Sequence, residues 1–174
     1  MECEERIFTG GSAMGNEKSS NGFSRVLLHD FTLAVAPPKH TNQASLRILK
    51  TRDGRQFIGK QTNSRAKQAN KLLKFALMPY KPLVPHIVPL EIYVTYAFPF
   101  NKTEKKSVIA LGEVAHTKRP DADNLMKGLF DVMGECGYWK DDSQLSVVHF
   151  KKVFSANPRI GIKILELAPL KSES

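Results

Sequence analysis

Apolar and polar residues alternate in several stretches of this chain. Such alternation predicts β-strands, because successive strand side chains point to opposite faces of a sheet. A weaker stretch of this kind begins near residue 25 and ends at a Pro-Pro pair at residues 37–38. The clearest stretch covers residues 90–98, where large apolar residues occupy every second position: Leu90, Ile92, Val94, Tyr96 and Phe98.

Two reversals of the chain are also visible in the pattern. The Asp-Gly pair at residues 53–54 lies between two short apolar runs, which is a strong signal of a β-hairpin. Residues 147–154 and 160–167 flank a Ser-Ala-Asn-Pro segment, and this arrangement predicts a terminal hairpin. One more short strand is expected near residues 107–111.

Two stretches have the helical period instead. Aspartates near residue 123 favour a helix start, and Gly137 favours its end just after residue 135 or 136. A second helix is predicted to start near residue 64. The expected buried faces are Leu125, Leu129, Val132, Met133 and Cys136 in the former helix, and Ala66, Ala69, Leu72, Leu73, Ala76 and Leu77 in the latter.

The order of these elements predicts an α+β fold in a single domain, with a mixed, largely antiparallel sheet and two main helices. The chain has 174 residues, 41% of them hydrophobic, which is enough for one core. We interpret residues 25–170 as this domain and residues 171–174 as a tail. Residues 1–24 have no periodicity and are expected to be a flexible leader, with cloning-derived sequence as one interpretation of part of it.

The chain is strongly basic, with a formal net charge of +9 and a pI near 9.6. This charge favours a polyanionic partner, and nucleic acid is the first candidate. An anionic membrane surface is the competing partner, but no apolar run reaches transmembrane length and no secretory segment opens the sequence. Cys3 and Cys136 have no metal-ligand spacing and are not expected to pair. We therefore expect a soluble, cytoplasmic protein that does not bind membranes.

The positive charge is concentrated in the first half of the chain. Residues 39–81 contain eleven Lys or Arg residues against one acid, Asp53. Lys67, Lys71 and Lys74 recur at helical spacing on one side of the predicted second helix, where stacked like charges are mildly destabilising. A DNA backbone would offset this repulsion, so DNA contact is favoured, and a solvated helix face is the alternative.

Four residues around the helix that is predicted to start near residue 123 form a candidate catalytic site. Asp121 and Asp123 precede the helix, Lys127 lies one turn further on, and Asp142 precedes the next strand. If that strand returns alongside the helix, Asp142 meets the other two aspartates. Three converging carboxylates would repel one another unless they hold Mg²⁺ or Mn²⁺, and such an ion with a nearby lysine suits phosphodiester hydrolysis. A helix cap and a turn are the structural alternatives.

Residues 119–127 (RPDADNLMK) and 138–144 (YWKDDSQ) resemble the signature of the RusA family of Holliday junction resolvases. The resemblance implies that Asp121, Asp123 and Asp142 are metal-binding catalytic carboxylates, that Lys127 is the catalytic lysine and that Asp141 has a supporting role. Lys118, directly before this motif, and Arg119, its first residue, join the lysines of the second helix as expected DNA-binding residues.

The sequence thus predicts a Mg²⁺-dependent, structure-specific endodeoxyribonuclease, and the resemblance suggests the four-way DNA junction as its substrate. A nuclease of the same chemistry on other branched or single-stranded DNA, and a non-catalytic basic DNA-binding module, remain the alternatives. Paired cuts need two sites and the chain carries one, so we expect a homodimer, which the resemblance also implies. Its interface is expected on an exposed face of residues 90–98 or of the terminal hairpin.

Overall fold

The computed structural model of the protein describes residues 23–39, 45–61 and 64–169. The tail and the leader lie outside the described residues, apart from the first two residues of β1. The strands are β1 (Phe23–Leu33), β2 (Ser45–Lys50), β3 (Gln56–Gln61), β4 (Leu90–Pro99), β5 (Glu113–Ala115), β6 (Leu145–Ser155) and β7 (Arg159–Pro169). The helices are α1 (Ser64–Leu77), α2 (Lys106–Ile109) and α3 (Ala122–Cys136), with 3₁₀ turns at Met78–Tyr80 and Asp142–Gln144.

Five strands form the main sheet, in the order β1-β7-β4-β6-β5, and β2 and β3 form a separate hairpin. Among these strand pairs only β4 and β6 run parallel, so the predicted mixed, largely antiparallel sheet is confirmed, as is the α+β class with two long helices. Gly54, at φ +85°, provides the left-handed residue in the turn of the predicted hairpin. At the edge of the sheet, β1 pairs with β7 from Phe23 opposite Pro169 to Leu33 opposite Ile160.

The predicted terminal hairpin is wrong. β6 and β7 follow each other in sequence, but β4 lies between them and hydrogen-bonds to both. Most β4 residues are buried: the apolar face under the helices is buried throughout, whereas on the opposite face Glu91 and Ala97 are buried and Tyr93 is 38% exposed. The dimer interface that the sequence suggested on an exposed face of residues 90–98 stays a prediction.

The predicted strand at residues 107–111 is also wrong. Residues 106–109 form one helical turn, α2, in which the carbonyl of Lys105 accepts bonds from the amides of Val108 and Ile109. Gly112 then reverses the chain at φ +81°, and the strand begins only at Glu113.

α1 and α3 cover one face of the sheet and close the core. All five predicted apolar residues of α3 are buried, and each such side chain contributes about 2 kcal/mol on folding. In α1 the prediction holds for Ala66, Leu73 and Leu77 but not for Leu72, which is 63% exposed. None of the helices among the described residues is long and apolar enough to span a bilayer.

The opposite face of the sheet carries a buried charge, Glu91 on β4, which is 1% exposed. Arg25 forms an ion pair with it, the Tyr93 hydroxyl donates to Oε1 at 2.9 Å, and His149 Nε2 lies 2.7 Å from the same oxygen. Burial alone raises the pKa of Glu91, but these hydrogen bonds outweigh it and the pKa is lowered on balance.

Candidate active site

The segment that precedes α3 is held by a lysine from the sheet. Lys152 of β6 donates from Nζ to the carbonyl of Lys118 at 2.9 Å and to the carbonyl of Pro120 at 2.7 Å. Pro120 itself is buried and follows a cis peptide bond. This anchoring fixes the backbone directly ahead of the first aspartate.

Asp121 is the N-cap residue of α3, with an extended backbone at φ −73° and ψ 151°. Its carbonyl accepts the amide of Leu125 at 3.2 Å, but its carboxylate makes no capping hydrogen bond. Asp123 lies in the first helical turn, and both carboxylates are exposed. The positive end of the helix dipole favours negative charge here. The fold therefore leaves two carboxylates unused at a position that suits them.

Lys127 lies four residues after Asp123 and one turn further along the same side of α3. The side chain is exposed and has no ion pair with any residue in the described ranges. Its ammonium group is thus available to an anion that approaches the N-terminal half of the helix.

Asp142 is positioned by a buried tryptophan. Trp139 is 2% exposed, and its Nε1 donates to Oδ1 of Asp142 at 2.6 Å. A Cβ placed on Gly134 of α3 would lie 3.5 Å from both of these atoms. Asp142 therefore sits against the C-terminal part of α3, with one carboxylate oxygen held by the indole.

The expected return of Asp142 to Asp121 and Asp123 does not occur within one chain. Gly134 follows Asp123 by eleven residues, which is about 16 Å along the helix axis. The chain turns at Gly137 (φ +82°), so β6 starts beside the end of α3 and only its far end approaches the start of that helix. Within the described ranges, no three His, Cys, Asp or Glu side chains are grouped so that they could hold a metal ion.

The turn that carries Asp142 is shaped by its neighbours. Asp141 accepts the amide of Ser143 at 2.8 Å, and hydrogen bonding from the Ser143 side chain, followed by this amide, lowers the pKa of the Asp141 carboxyl. Gln144 accepts the amide of Asp141 at 2.9 Å and donates to the carbonyl of His86 at 2.9 Å. Asp141 thus acts as a cap in a reciprocal pair with Gln144, and the pair ties the turn to the loop before β4.

The expected DNA-binding residues fall into two groups. Lys118 and Arg119 are exposed beside the start of α3. On α1, Lys67 and Lys71 are exposed, but Lys74 lies 3.2 Å from Glu135 of α3 and forms an ion pair with it. One positive charge of this row on α1 is therefore neutralised by a glutamate of the same chain, whereas the sequence predicted an uncompensated row.

The donor chemistry of the aspartates suits a hard divalent cation, because all candidate ligands are carboxylate oxygens and all are exposed. Asp121 and Asp123 could bind such an ion together. Asp142 has one oxygen free of the indole for the same purpose, but it could not join those two in the same chain. A single chain therefore presents two exposed carboxylates at the start of α3 and a separate third carboxylate near its end.

Sequence reasoning missed Trp139 and Lys152 as positioning residues. A signal existed for Lys152, since Phe150 and Phe154 on the same face of β6 pack against the core and a lysine between them is out of pattern. Trp139 lies inside the RusA-like motif, but its bond to Asp142 depends on the turn geometry, which the sequence pattern does not specify.

Comparisons with known proteins agree with the motif. The family model described as "Endodeoxyribonuclease RusA" matches residues 36–165. A crossover junction endodeoxyribonuclease rusA from Lactococcus phage r1t is 33% identical over 129 residues, which covers 73% of this chain and 90% of that protein. The uncharacterized protein YqaN from Bacillus subtilis strain 168 is 35% identical over 68 residues, which covers 39% of this chain and 47% of that protein.

Proposed function

Because this chain belongs to the endodeoxyribonuclease RusA family, we propose that it is a divalent-metal-dependent nuclease that resolves four-way DNA junctions in the cytoplasm. The observation that carries the proposal is the start of α3, where Asp121, Asp123 and Lys127 are exposed and unused by the fold. The four-way junction as substrate follows the name of the phage relative, a crossover junction endodeoxyribonuclease.

Each residue has a distinct part in this proposal. Asp121 and Asp123 would hold Mg²⁺, or Mn²⁺ in its place, at the helix N-terminus. When bound, such an ion polarises a phosphoryl oxygen and lowers the pKa of a bound water. Lys127 lies beside the reacting phosphate and balances the negative charge that grows in the transition state. Lys118 and Arg119 bind flanking phosphates, and Lys67 and Lys71 bind more distant ones.

We further propose that the carboxylate set is completed in a two-fold dimer. Within one chain, Asp142 lies against Gly134, which is about 16 Å along the axis of α3 from Asp123. In a closed two-fold arrangement the contacts are reciprocal, so Asp142 of each protomer can complete the Asp121 and Asp123 pair of the other. Such a dimer carries two sites related by symmetry, as paired cuts in a four-way junction require.

A suitable dimer surface lies next to Asp142. Leu83, Val84 and Ile87 are 102%, 73% and 76% exposed, an unusual cluster of bare aliphatic side chains. Their loop runs beside the Asp142 turn, since the amide of His86 bonds the carbonyl of Tyr138 at 3.0 Å. Burying this cluster against a second copy would bring the partner's chain directly to the turn. It replaces the β4 face as the proposed interface.

A nicking assay tests the function. Synthetic four-way junctions, linear duplex and single strands of the same sequence are incubated with the protein, with and without Mg²⁺. We expect paired cuts in the junction only, dependent on Mg²⁺, and loss of cutting but not of binding in Asp123→Asn. Equal cutting of the duplex or single-stranded substrates would favour a broader nuclease. If the wild type binds DNA but cuts none of these substrates, the result would favour the non-catalytic DNA-binding module.

Mixed dimers test the shared site. Asp121→Asn and Asp142→Asn chains, each expected to be inactive alone, are refolded together in equal amounts. If the carboxylates are shared between chains, a mixed dimer has one intact site and one doubly damaged site, so about a quarter of the sites return and mainly single nicks appear. If all three act within one chain, every site in the mixture lacks one carboxylate and no cutting returns.

A further inference from the structure

A cavity of about 560 Å³ opens beside the segment that leads into Asp121, a volume within the usual range for ligand sites. One wall is the backbone of residues 118–120, and the other is the end of β4 with residues 99–102. The first wall ends at Pro120, so the chain passes from the cavity lining directly into Asp121, the first candidate catalytic carboxylate.

The floor of the cavity is aromatic. His116 stacks on Phe154 with ring centroids 4.1 Å apart and an interplanar angle of 24°, and Phe98 lies 4.6 Å from the same imidazole. Phe100 lies 6.1 Å from Phe154 with nearly parallel rings. Phe98 is buried, whereas Phe100 and Phe154 are half-buried and lend ring surface to the opening. Flat ring surfaces of this kind are suited to stacking another flat ring.

His116 adds a directed polar group to this floor. The residue is 8% exposed, and its Nδ1 accepts the amide of Lys118 at 3.2 Å. Burial and the charge of Lys152 lower the pKa of the imidazole, so the ring is neutral near pH 7. With Nδ1 as acceptor, the proton is on Nε2, and none of the hydrogen bonds among the described residues uses that proton. No fully buried side-chain nitrogen in those ranges lacks a partner, so this Nε2 retains some solvent exposure, on a residue that lines the cavity, and its proton is available to donate.

The rim of the cavity is cationic. Four exposed basic residues line it, and none of the lining residues in the described ranges is acidic: Lys39, Lys102, Lys118 and Arg119. An apolar ligand alone would not need this rim, and an isolated anion would not need the aromatic floor. The combination matches a nucleotide within a strand, which has one flat base and a phosphate on each side.

We propose that this cavity receives one unstacked nucleobase of the DNA strand that is cut, while the rim binds the neighbouring phosphates. The proposal rests on the proposed nuclease function and adds a base-binding site to it. Taking a base out of the stack costs least where the duplex is already interrupted, as at the branch point of a junction. Stacking on the aromatic floor and a hydrogen bond from His116 to a base acceptor offset that cost. The cavity would thus link recognition of a branch point to the position of the cut.

Abasic scanning tests the site. Four-way junctions that lack one base, at each position near the crossover in turn, are titrated with the protein in Ca²⁺ so that binding is read without cutting. We expect one position at which removal of the base weakens wild-type binding by roughly 5- to 150-fold, the effect of removing one base–aromatic stack. Phe100→Ala should bind the intact junction as weakly as the wild type binds that abasic junction. The abasic substitution should then have almost no further effect.

Two variants serve as controls. Phe100→Tyr keeps a stacking ring, so its binding should still depend on the base at the sensitive position. A variant that had only lost structure would not keep this dependence. Phe57→Ala removes a more exposed phenylalanine, from the separate β2–β3 hairpin, and should leave the abasic profile unchanged. Thermal melting of all variants checks that Phe100→Ala is folded.

The outcomes separate the two proposals. If the wild type cuts junctions but no abasic position matters, or Phe100→Ala shows the full abasic effect, the base site is refuted while the nuclease stands. If the wild type does not bind or cut junctions, the proposed function fails. The same scan on a short single strand then decides the base site alone, because a single sensitive position that vanishes in Phe100→Ala would retain it and a flat profile would refute it.

Discussion

Replacing Trp139 with phenylalanine isolates the bond that positions Asp142. The change removes the 2.6 Å hydrogen bond from Nε1 to the carboxylate but keeps an aromatic ring in the buried site. A hydrogen bond to a charged group contributes about 1.5–3 kcal/mol, so we expect a loss of this order in the free energy of unfolding. The carboxylate of Asp142 also becomes free to rotate. Loss of a residue that hydrogen-bonds to a metal ligand typically lowers metal affinity or activity roughly 10- to 100-fold.

The assay measures the single-turnover cleavage rate of a four-way junction against Mg²⁺ concentration. In Trp139→Phe the half-saturating Mg²⁺ concentration should rise, while junction binding in Ca²⁺ stays near the wild-type value. Tyr138→Phe is the matched control. It removes the neighbouring buried hydrogen bond, from the tyrosine hydroxyl to the carbonyl of Leu77 at 2.9 Å, but touches no carboxylate. It should cost about 1 kcal/mol of stability and leave the Mg²⁺ dependence unchanged.

An unchanged Mg²⁺ dependence in Trp139→Phe, with the expected loss of stability, would refute the reasoning. The indole would then be a structural partner of Asp142 rather than a positioning residue for a metal ligand. Equal shifts in both variants would also refute it, because they would trace the effect to general loosening of the segment.

Three further predictions use other parts of the molecule. Gly134→Ala should raise the free energy of unfolding by about 0.5–1 kcal/mol in urea titrations and retain cutting, because the new methyl group meets Asp142 at an ordinary 3.5 Å; a loss of stability would contradict it. Replacing Lys67 and Lys71 with alanine should flatten the log–log salt dependence of DNA binding by about 0.9 for each phosphate that is no longer neutralised, and an unchanged slope would make them solvated surface residues. Because the pKa of Glu91 is lowered in the folded state, its contribution to stability is complete above the ordinary value of 4.5 and is lost as pH falls through the folded pKa. Glu91→Gln should therefore cost about 3 kcal/mol at pH 7 and flatten the loss of stability in acid, as read by denaturant titrations at several pH values.

Local signals in the sequence predicted local structure well. The apolar period of α3, the alternation in β4 and the Asp-Gly turn before β3 each depend on neighbours only a few residues away, and the structure confirms all three. The exposed Leu72 shows the limit of the period, because a helix face predicts burial only where another element covers it.

The errors concern partners that are distant in sequence. β6 and β7 have the pattern of a hairpin, but β4, formed more than 40 residues earlier, lies between them. The sequences of β6 and β7 carry no signal that another strand lies between them. The position of Asp142 was missed for the same reason, since the motif fixes its distance from α3 along the chain and not the direction in which the chain leaves that helix.

The pairing of β1 with β7 affects how the chain must fold during synthesis. Phe23 is matched with Pro169, so the edge of the main sheet joins the earliest described strand to the latest one. Contacts between such distant parts slow folding, because the loop must be closed before any of its contacts form. Translation makes the N-terminal part first, and β1 then waits without its partner until β7 has emerged. Lys152, which holds the segment before Asp121, also lies on a late strand. The nascent chain therefore presents the candidate catalytic motif before it can position it, and the assembled site is a late product of folding.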